Sequence, residues 1–196
     1  NNNVLSAITA LPSSVSGGAL TLISTATASS SATLSFTSGI DSTYKEYVFK
    51  YINIHPATNN ADWLFNVSID GGSNYNVAKT TAAFQAAHGE STSTDFTNFA
   101  YKPGFDLAQG TGYQHIGNEV NNANDSSTSG FLHLFEPSST TFVKHFLQRG
   151  NVCFTGRSVD VFHAGYANTT SAVNAVDFKF SSGNIDSGVI KMYGVS

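Results

Sequence analysis

Acid, base or metal chemistry in this chain would fall to six histidines, thirteen carboxylates and a single cysteine, so their spacing is read first. His55, His88, His115, His133, His145 and His163 form no HExxH pair, and none joins Cys153 in a recognised catalytic pattern. His133 and His145 fall on neighbouring predicted strands flanking the turn at Pro137, where a hairpin could bring two ligands to one ion. No carboxylate accompanies them at ligand spacing, so hydrogen-bonded or surface histidines are the expectation. Asp70-Gly71 resembles the opening of a calcium loop but lacks its regular acidic spacing. Asp160 and His163 could be joined on paper to one of many serines, yet no GxSxG elbow is present, and Gly110-Thr111-Gly112 lacks the lysine and helix of a phosphate loop. Glu90, Asp95, Asp106 and Glu119 lie in one irregular stretch, where a pair of acids could flank a glycosidic bond. Their spacing is unspecific, and solvated loop acids are the simpler account. Cys153, between Val152 and Phe154, reads as a small buried side chain. The sequence therefore predicts no catalytic residue, no cofactor and no metal: a protein that is not an enzyme.

Sugar binding needs less. Aromatic rings stack on sugar faces while Asn, Asp and Thr read hydroxyls, and Tyr75, Tyr101, Tyr113 and Tyr166 sit in or beside predicted loops with such neighbours. They are the candidate contacts for a glycan or a protein partner. The competing account is that loop tyrosines close over a core, given the area each ring buries.

Of 196 residues, 40% are hydrophobic and 12% aromatic, enough to build a two-layer core. Only 11% are charged, against roughly 25% in ordinary soluble domains, and Ser, Thr, Asn and Gly take their place. Hydroxyl and amide surfaces lose less desolvation energy and side-chain entropy on contact than Lys and Glu surfaces do, which suits subunits that assemble. A net charge of −4 lacks the basic footprint that phosphate binding requires, so no nucleic acid is expected. One cysteine allows no intrachain disulfide and no Cys-based zinc site. No apolar run is long enough to cross a bilayer as a helix, and Asn1-Asn2-Asn3-Val4 is not the start of a signal peptide; no membrane insertion is expected.

Residues 1–33 are rich in Ser, Thr and Ala, broken by Pro12 and Gly17-Gly18, and lack core anchors; they read as an extended arm available to a neighbour, with Val4, Leu5, Ile8 and Leu11 able to form one helical turn. From residue 34 the period is two, the repeat of a half-buried strand. Leu34–Phe36 is a short strand; Tyr44–His55 is apolar on both faces, hence central, and Pro56 ends it. Trp63–Asp70 alternates cleanly and runs into Asp70-Gly71-Gly72-Ser73-Asn74, which predicts a hairpin. Residues 84–130 are irregular, broken by Gly89, Gly104, Gly110, Gly112 and Gly117, and long loops carry function. Regularity returns in Phe131–Phe135, Phe142–Gln148, Val159–Tyr166, Val173–Phe180 and Val189–Val195, punctuated by turn signals that include Arg149-Gly150-Asn151. Eight or nine strands and no ordinary helix predict an all-β fold: a single jelly-roll-like β-sandwich over 34–196 with an N-terminal arm over 1–33.

Residues 17–76, above all Ser35–Tyr47 (SFTSGIDSTYKEY), Ile52–Pro56 (INIHP) and the turn Asp70–Asn76, resemble a family of β-rich virion structural proteins of tailed bacteriophages, often phages of aquatic bacteria; residues 182–196 are similar to that family's closing strand. The resemblance implies a tail or capsid-accessory protein of the particle exterior and supplies no catalytic residues. It covers somewhat over a third of the chain and does not extend to residues 84–170. The expectation is a capsid decoration protein or tail appendage, working by assembly with other virion subunits and with itself, as a homo-oligomer with closed symmetry such as a trimer. The alternatives are a host-glycan receptor-binding module using 84–130 and, behind it, an enzyme degrading surface polysaccharide.

Overall fold

A computed structural model describes residues 19–91, 97–154 and 156–196. All regular structure among them is β: β1 (Leu20–Thr27), β2 (Leu34–Phe36), β3 (Glu46–Pro56), β4 (Ala61–Ser68), β5 (Lys79–Gly89), β6 (Thr97–Tyr101), β7 (Gln114–Val120), β8 (Thr128–Phe135), β9 (Lys144–Phe154), β10 (Arg157–Ala167), β11 (Ala175–Phe180) and β12 (Ile185–Val195). They form two antiparallel sheets, one ordered β1-β12-β3-β8-β9-β10-β5-β6 and the other β2-β11-β4-β7.

The path is that of one long hairpin folded back on itself. β1 pairs with β12, β2 with β11, β3 with β8 and β4 with β7, each antiparallel. The further pairings β12–β3 and β11–β4 roll this ribbon into β1-β12-β3-β8 facing β2-β11-β4-β7. This is jelly-roll order, as the sequence predicts. Two hairpins are inserted into it. β9 and β10 follow β8 and widen the first sheet; β5 and β6, between β4 and β7, complete it to eight strands by pairing β5 with β10.

Alternation supplies the core. Trp63, Phe65 and Val67 of β4 and Val176, Phe178 and Phe180 of β11 point inward against Tyr47, Phe49 and Tyr51 of β3. Trp63 stacks on Phe178 with centroids 5.8 Å apart, and Phe65 meets Phe146 of β9 edge-on at 5.0 Å. Such offset and edge contacts add to the area these rings bury.

Several boundaries differ from the sequence expectation. Residues 1–18, most of the predicted arm and its helical turn, lie outside the described residues. Residues 20–27 are not an arm but β1, an edge strand laddered to β12. The turn at Asp70–Asn74 does not close a hairpin: β4 and β5 lie in different sheets, so this reversal carries the chain between layers. The Asp70 carboxylate braces it by accepting from Ser68 Oγ (2.6 Å), Asn74 N (2.9 Å) and Asn74 Nδ2 (2.7 Å), bonds that hold its pKa down to about 2. Arg149-Gly150-Asn151 is not a turn but the middle of β9.

Gly150 is there for a reason of space. Tyr51 lies across Gly130 of β8 and Gly150 of β9; a Cβ on Gly150 would stand 2.2 Å from the Tyr51 hydroxyl, and one on Gly130 would stand 2.4 Å from both that hydroxyl and the Arg149 carbonyl. Gly150→Ala is expected to cost about 1–3 kcal/mol through overpacking. Gly130→Ala should cost more, because the Arg149 backbone cannot swing aside. Urea unfolding of the two variants checks this; midpoints equal to that of the parent chain would refute it.

Candidate functional site

The inserted strands change the character of the inner face. Where the small sheet covers the large one the interior is aromatic, but β5 points Lys79, Thr81 and Gln85 inward, and β9 and β10 add Lys144, Gln148 and His163, all buried. Their cover includes the segment after β6. Thr81 accepts from Leu107 N (2.8 Å) and donates to Gln114 Oε1 (2.8 Å), whose Nε2 donates to the carbonyls of Phe105 (2.7 Å) and His115 (2.8 Å). A cover of irregular backbone brings carbonyls and amides that need partners, and polar side chains from the sheet supply them.

At the centre, Gln148 Nε2 donates to the Tyr51 hydroxyl (2.6 Å) and the Ile116 carbonyl (3.0 Å), while its Oε1 accepts from His163 Nδ1 (2.7 Å). That geometry fixes the neutral tautomer of His163. Burial, with His115 nearby, drives its pKa down to about 3. Lys79 Nζ donates to Asn66 Oδ1 and the Val77 carbonyl, and its burial lowers its pKa to about 7. Asn66 in turn donates to the carbonyls of Tyr75 and Thr111, stitching the crossover and the later loop to β4.

The four candidate tyrosines do not converge. Tyr75 and Tyr113 are half-buried beside the small sheet, where Tyr113 donates to Asp177 Oδ2 (2.8 Å) and carries Lys179 Nζ over its ring at 4.1 Å. Burial, then that carboxylate, pushes the Tyr113 pKa upward. Tyr101 and Tyr166 lie instead on the outer face of the large sheet, where Tyr101 hydrogen-bonds Asp106 and Tyr166 meets His145 edge-on at 6.0 Å.

The remaining chemistry-bearing residues are dispersed. His133 pairs with Glu46, and His145 is taken up by Tyr166, so these two do not share a partner. Asp160 faces Arg149 rather than His163. Glu90 follows β5 and Glu119 stands in β7, and Asp95 lies outside the described residues. Half-buried Cys153 has Ser126 Oγ at 4.0 Å. Among the described residues no three His, Cys, Asp or Glu side chains gather as metal ligands would.

Two surfaces do stand out. One is a polar cleft of about 490 Å³ at a rim of the large sheet, lined by Asn53, His55, Asn124, Asp125, Asp186 and Ser187, among others. It sits where β3 bulges on both sides, with Asn53 at φ 50° and Gly188 at φ 122°. The other is the outer face of the inserted strands. Register places Tyr101, Phe84, Phe162, Arg149 and Phe131 in one row across β6, β5, β10, β9 and β8. The row beside it runs Ala82, Ala164, Leu147. Phe84 and Phe162 stack at 4.7 Å, and the Arg149 guanidinium lies over Phe162, also at 4.7 Å, while pairing with Asp160 at 2.7 Å. Phe99 is 73% exposed, Tyr101 57% and Leu147 51%. Exposed aromatic surface of this extent marks a place of contact. Sequence reasoning found Tyr101 and Tyr166 but missed the face, because Phe84 and Phe99 lie in the stretch read as irregular.

Comparison of the chain with protein-family models, with curated proteins and with solved structures returns no match.

Two buried titrating groups, His163 and Lys79, act on stability in the same direction over different pH windows. His163 is neutral when folded down to about pH 3 but protonates near 6.5 when unfolded, so its contribution is complete above pH 6.5 and lost as pH falls from there. His163→Gln, which keeps a donor for Gln148 and does not titrate, should remove an acid-limb slope of up to about 1.4 kcal/mol per pH unit between pH 4 and 6. Parallel urea titrations at pH 4, 5 and 6 read this directly, and an unchanged slope refutes it. Lys79 releases its proton near pH 7 when folded but near 10.5 when unfolded, so stability rises with pH between those values. Against Lys79→Met, the parent chain should gain stability from pH 7 to 9.5; a constant difference over that window would exclude the lowered pKa.

Proposed function

We propose that this chain is a structural subunit of the exterior of a tailed-phage particle, a capsid decoration protein or tail appendage that works by assembly and surface contact. The observation that carries the reading is the aromatic outer face built on the inserted hairpins. A chain otherwise sparing with charge there exposes rings that gain from being covered, about 25 cal/mol for each Å² of apolar surface removed from water. Jelly rolls serve capsids and lectins alike, so the architecture alone does not choose among functions. The resemblance of residues 17–76 and 182–196 to phage structural proteins adds the setting, with other virion subunits as partners. Purified particles of the phage that encodes the chain provide the test. Mass spectrometry should detect it at structural stoichiometry, and a particle map should show a two-sheet body at repeating outer positions. A chain confined to the lysate and missing from washed particles would end this reading.

The polar cleft favours a second reading, a receptor-binding module for host glycans. Its amide, hydroxyl and carboxylate groups match the hydrogen-bonding needs of a sugar. A glycan array probed with the full chain should then show binding that Asp186→Ala abolishes, whereas a scaffold alone binds no glycan on the array.

A further inference from the structure

We infer that the outer face of β6-β5-β10-β9-β8 is an interface with a second copy of this chain, related by a two-fold axis near Arg149 and Asp160. The inference deepens the assembly reading by naming the partner, and it rests on that reading for its setting alone.

Size is the first argument. Strands about 4.8 Å apart, rising about 3.4 Å per residue, make five strands by seven residues roughly 24 by 24 Å, or about 600 Å² of footprint. Two such footprints bury about 1,200 Å², the lower bound of stable specific interfaces. Shape agrees with size: the centre of the face is carried by Phe84, Phe162, Ala164 and Leu147 on straight, fully laddered strands, with Ala82 and Ala164 leaving a shallow trough beside Leu147. Two twisted sheets of this kind pack face to face about 10 Å apart, each ridge of side chains lying in the other's trough.

Charge selects the occupant. At the middle of the face the charged side chains are Arg149 and Asp160, one of each sign, paired to each other and partly exposed; Asp106 beside Tyr101 and Glu46 beside His133 stand at its margins. A face that is neutral at its centre does not repel a copy of itself there. A two-fold axis through its middle brings the Arg149 of each copy toward the partner's Asp160, turning each pair into part of a four-charge cluster under aromatic cover. One self-complementary patch closes as a dimer, whereas a trimer requires two different patches that fit each other.

The test uses the full chain and three variants, Arg149→Glu, Asp160→Arg and Leu147→Lys, in sedimentation velocity over a dilution series. Circular dichroism and thermal melting confirm that each is folded, as expected for exposed positions. The parent chain should sediment as a dimer. Each variant should associate at least about tenfold more weakly, since like charges now oppose across the axis or a charge enters the apolar trough. An equimolar mixture of Arg149→Glu and Asp160→Arg, whose faces carry net charges of opposite sign, should recover the dimer. A parent chain that stays monomeric through the micromolar range, variants that dimerise as it does, or a mixture that fails to recover would each overturn the interface. A dimer in solution that is absent from washed particles defeats the virion reading and leaves the interface standing. A monomer that is nonetheless found on particles does the reverse.

Discussion

A sheet of eight strands cannot be covered by a sheet of four. The jelly-roll ribbon puts β2-β11-β4-β7 over β1-β12-β3-β8, and there the interior is a stack of aromatic rings. The inserted strands β9, β10, β5 and β6 continue the large sheet past the small one, whose edge strand β7 still meets β9 and β10, and the rest of their inner face is closed with connecting backbone. Irregular backbone brings carbonyls and amides that need partners, and Thr81, Gln148, His163 and Lys79 stand beneath it among Phe146, Val152, Val159 and Val161. Burying them costs desolvation, offset by hydrogen bonds such as those at both ends of the Gln148 and Gln114 amides. The depressed basicity of His163 and Lys79 follows from the same mismatch in width.

That mismatch also explains what could be read from the residues alone. β3 and β4 were legible because both contribute to the aromatic interior, and the alternation of Trp63, Phe65 and Val67 states it directly. β5 was not. Its inward residues are Lys79, Thr81, Ala83, Gln85 and Ala87, its outward ones include Ala82 and Ala86, and so its period of two carries almost no contrast in hydrophobicity. The segment Arg149-Gly150-Asn151 has the composition of a turn, yet its glycine answers to the ring of Tyr51, which lies far off in sequence. β1 reads as an arm because its Ser and Thr mask its anchors; its place is owed to the ladder with β12 and to Ile23 and Ala26, which pack against the core. Of the four tyrosines, the aromatic and polar neighbours in sequence gave no sign that two would fall beside each sheet.

The division between ribbon and insertions is a division of labour in the chemistry of surfaces. The eight ribbon strands supply most of the deeply apolar interior. The inserted hairpins carry the exposed rings, the Arg149–Asp160 pair and much of the buried amide network. A scaffold of this kind lets outward-facing side chains vary without disturbing the rings that hold the two layers together, because alternate residues of one strand answer to different constraints.

The concentric pairing of the ribbon has a kinetic consequence. Leu20 lies opposite Val195, and the β2–β11 and β3–β8 ladders also join distant parts of the chain. Contacts so remote in sequence give a high contact order, for which loop closure must be met before any ladder rewards it, and folding is correspondingly slow. While the ribosome is still extending the chain, β1 and β3 have exposed edges and no β12 to lie between them. The nascent protein therefore waits for its final strand, and in that interval chaperones have the most to protect.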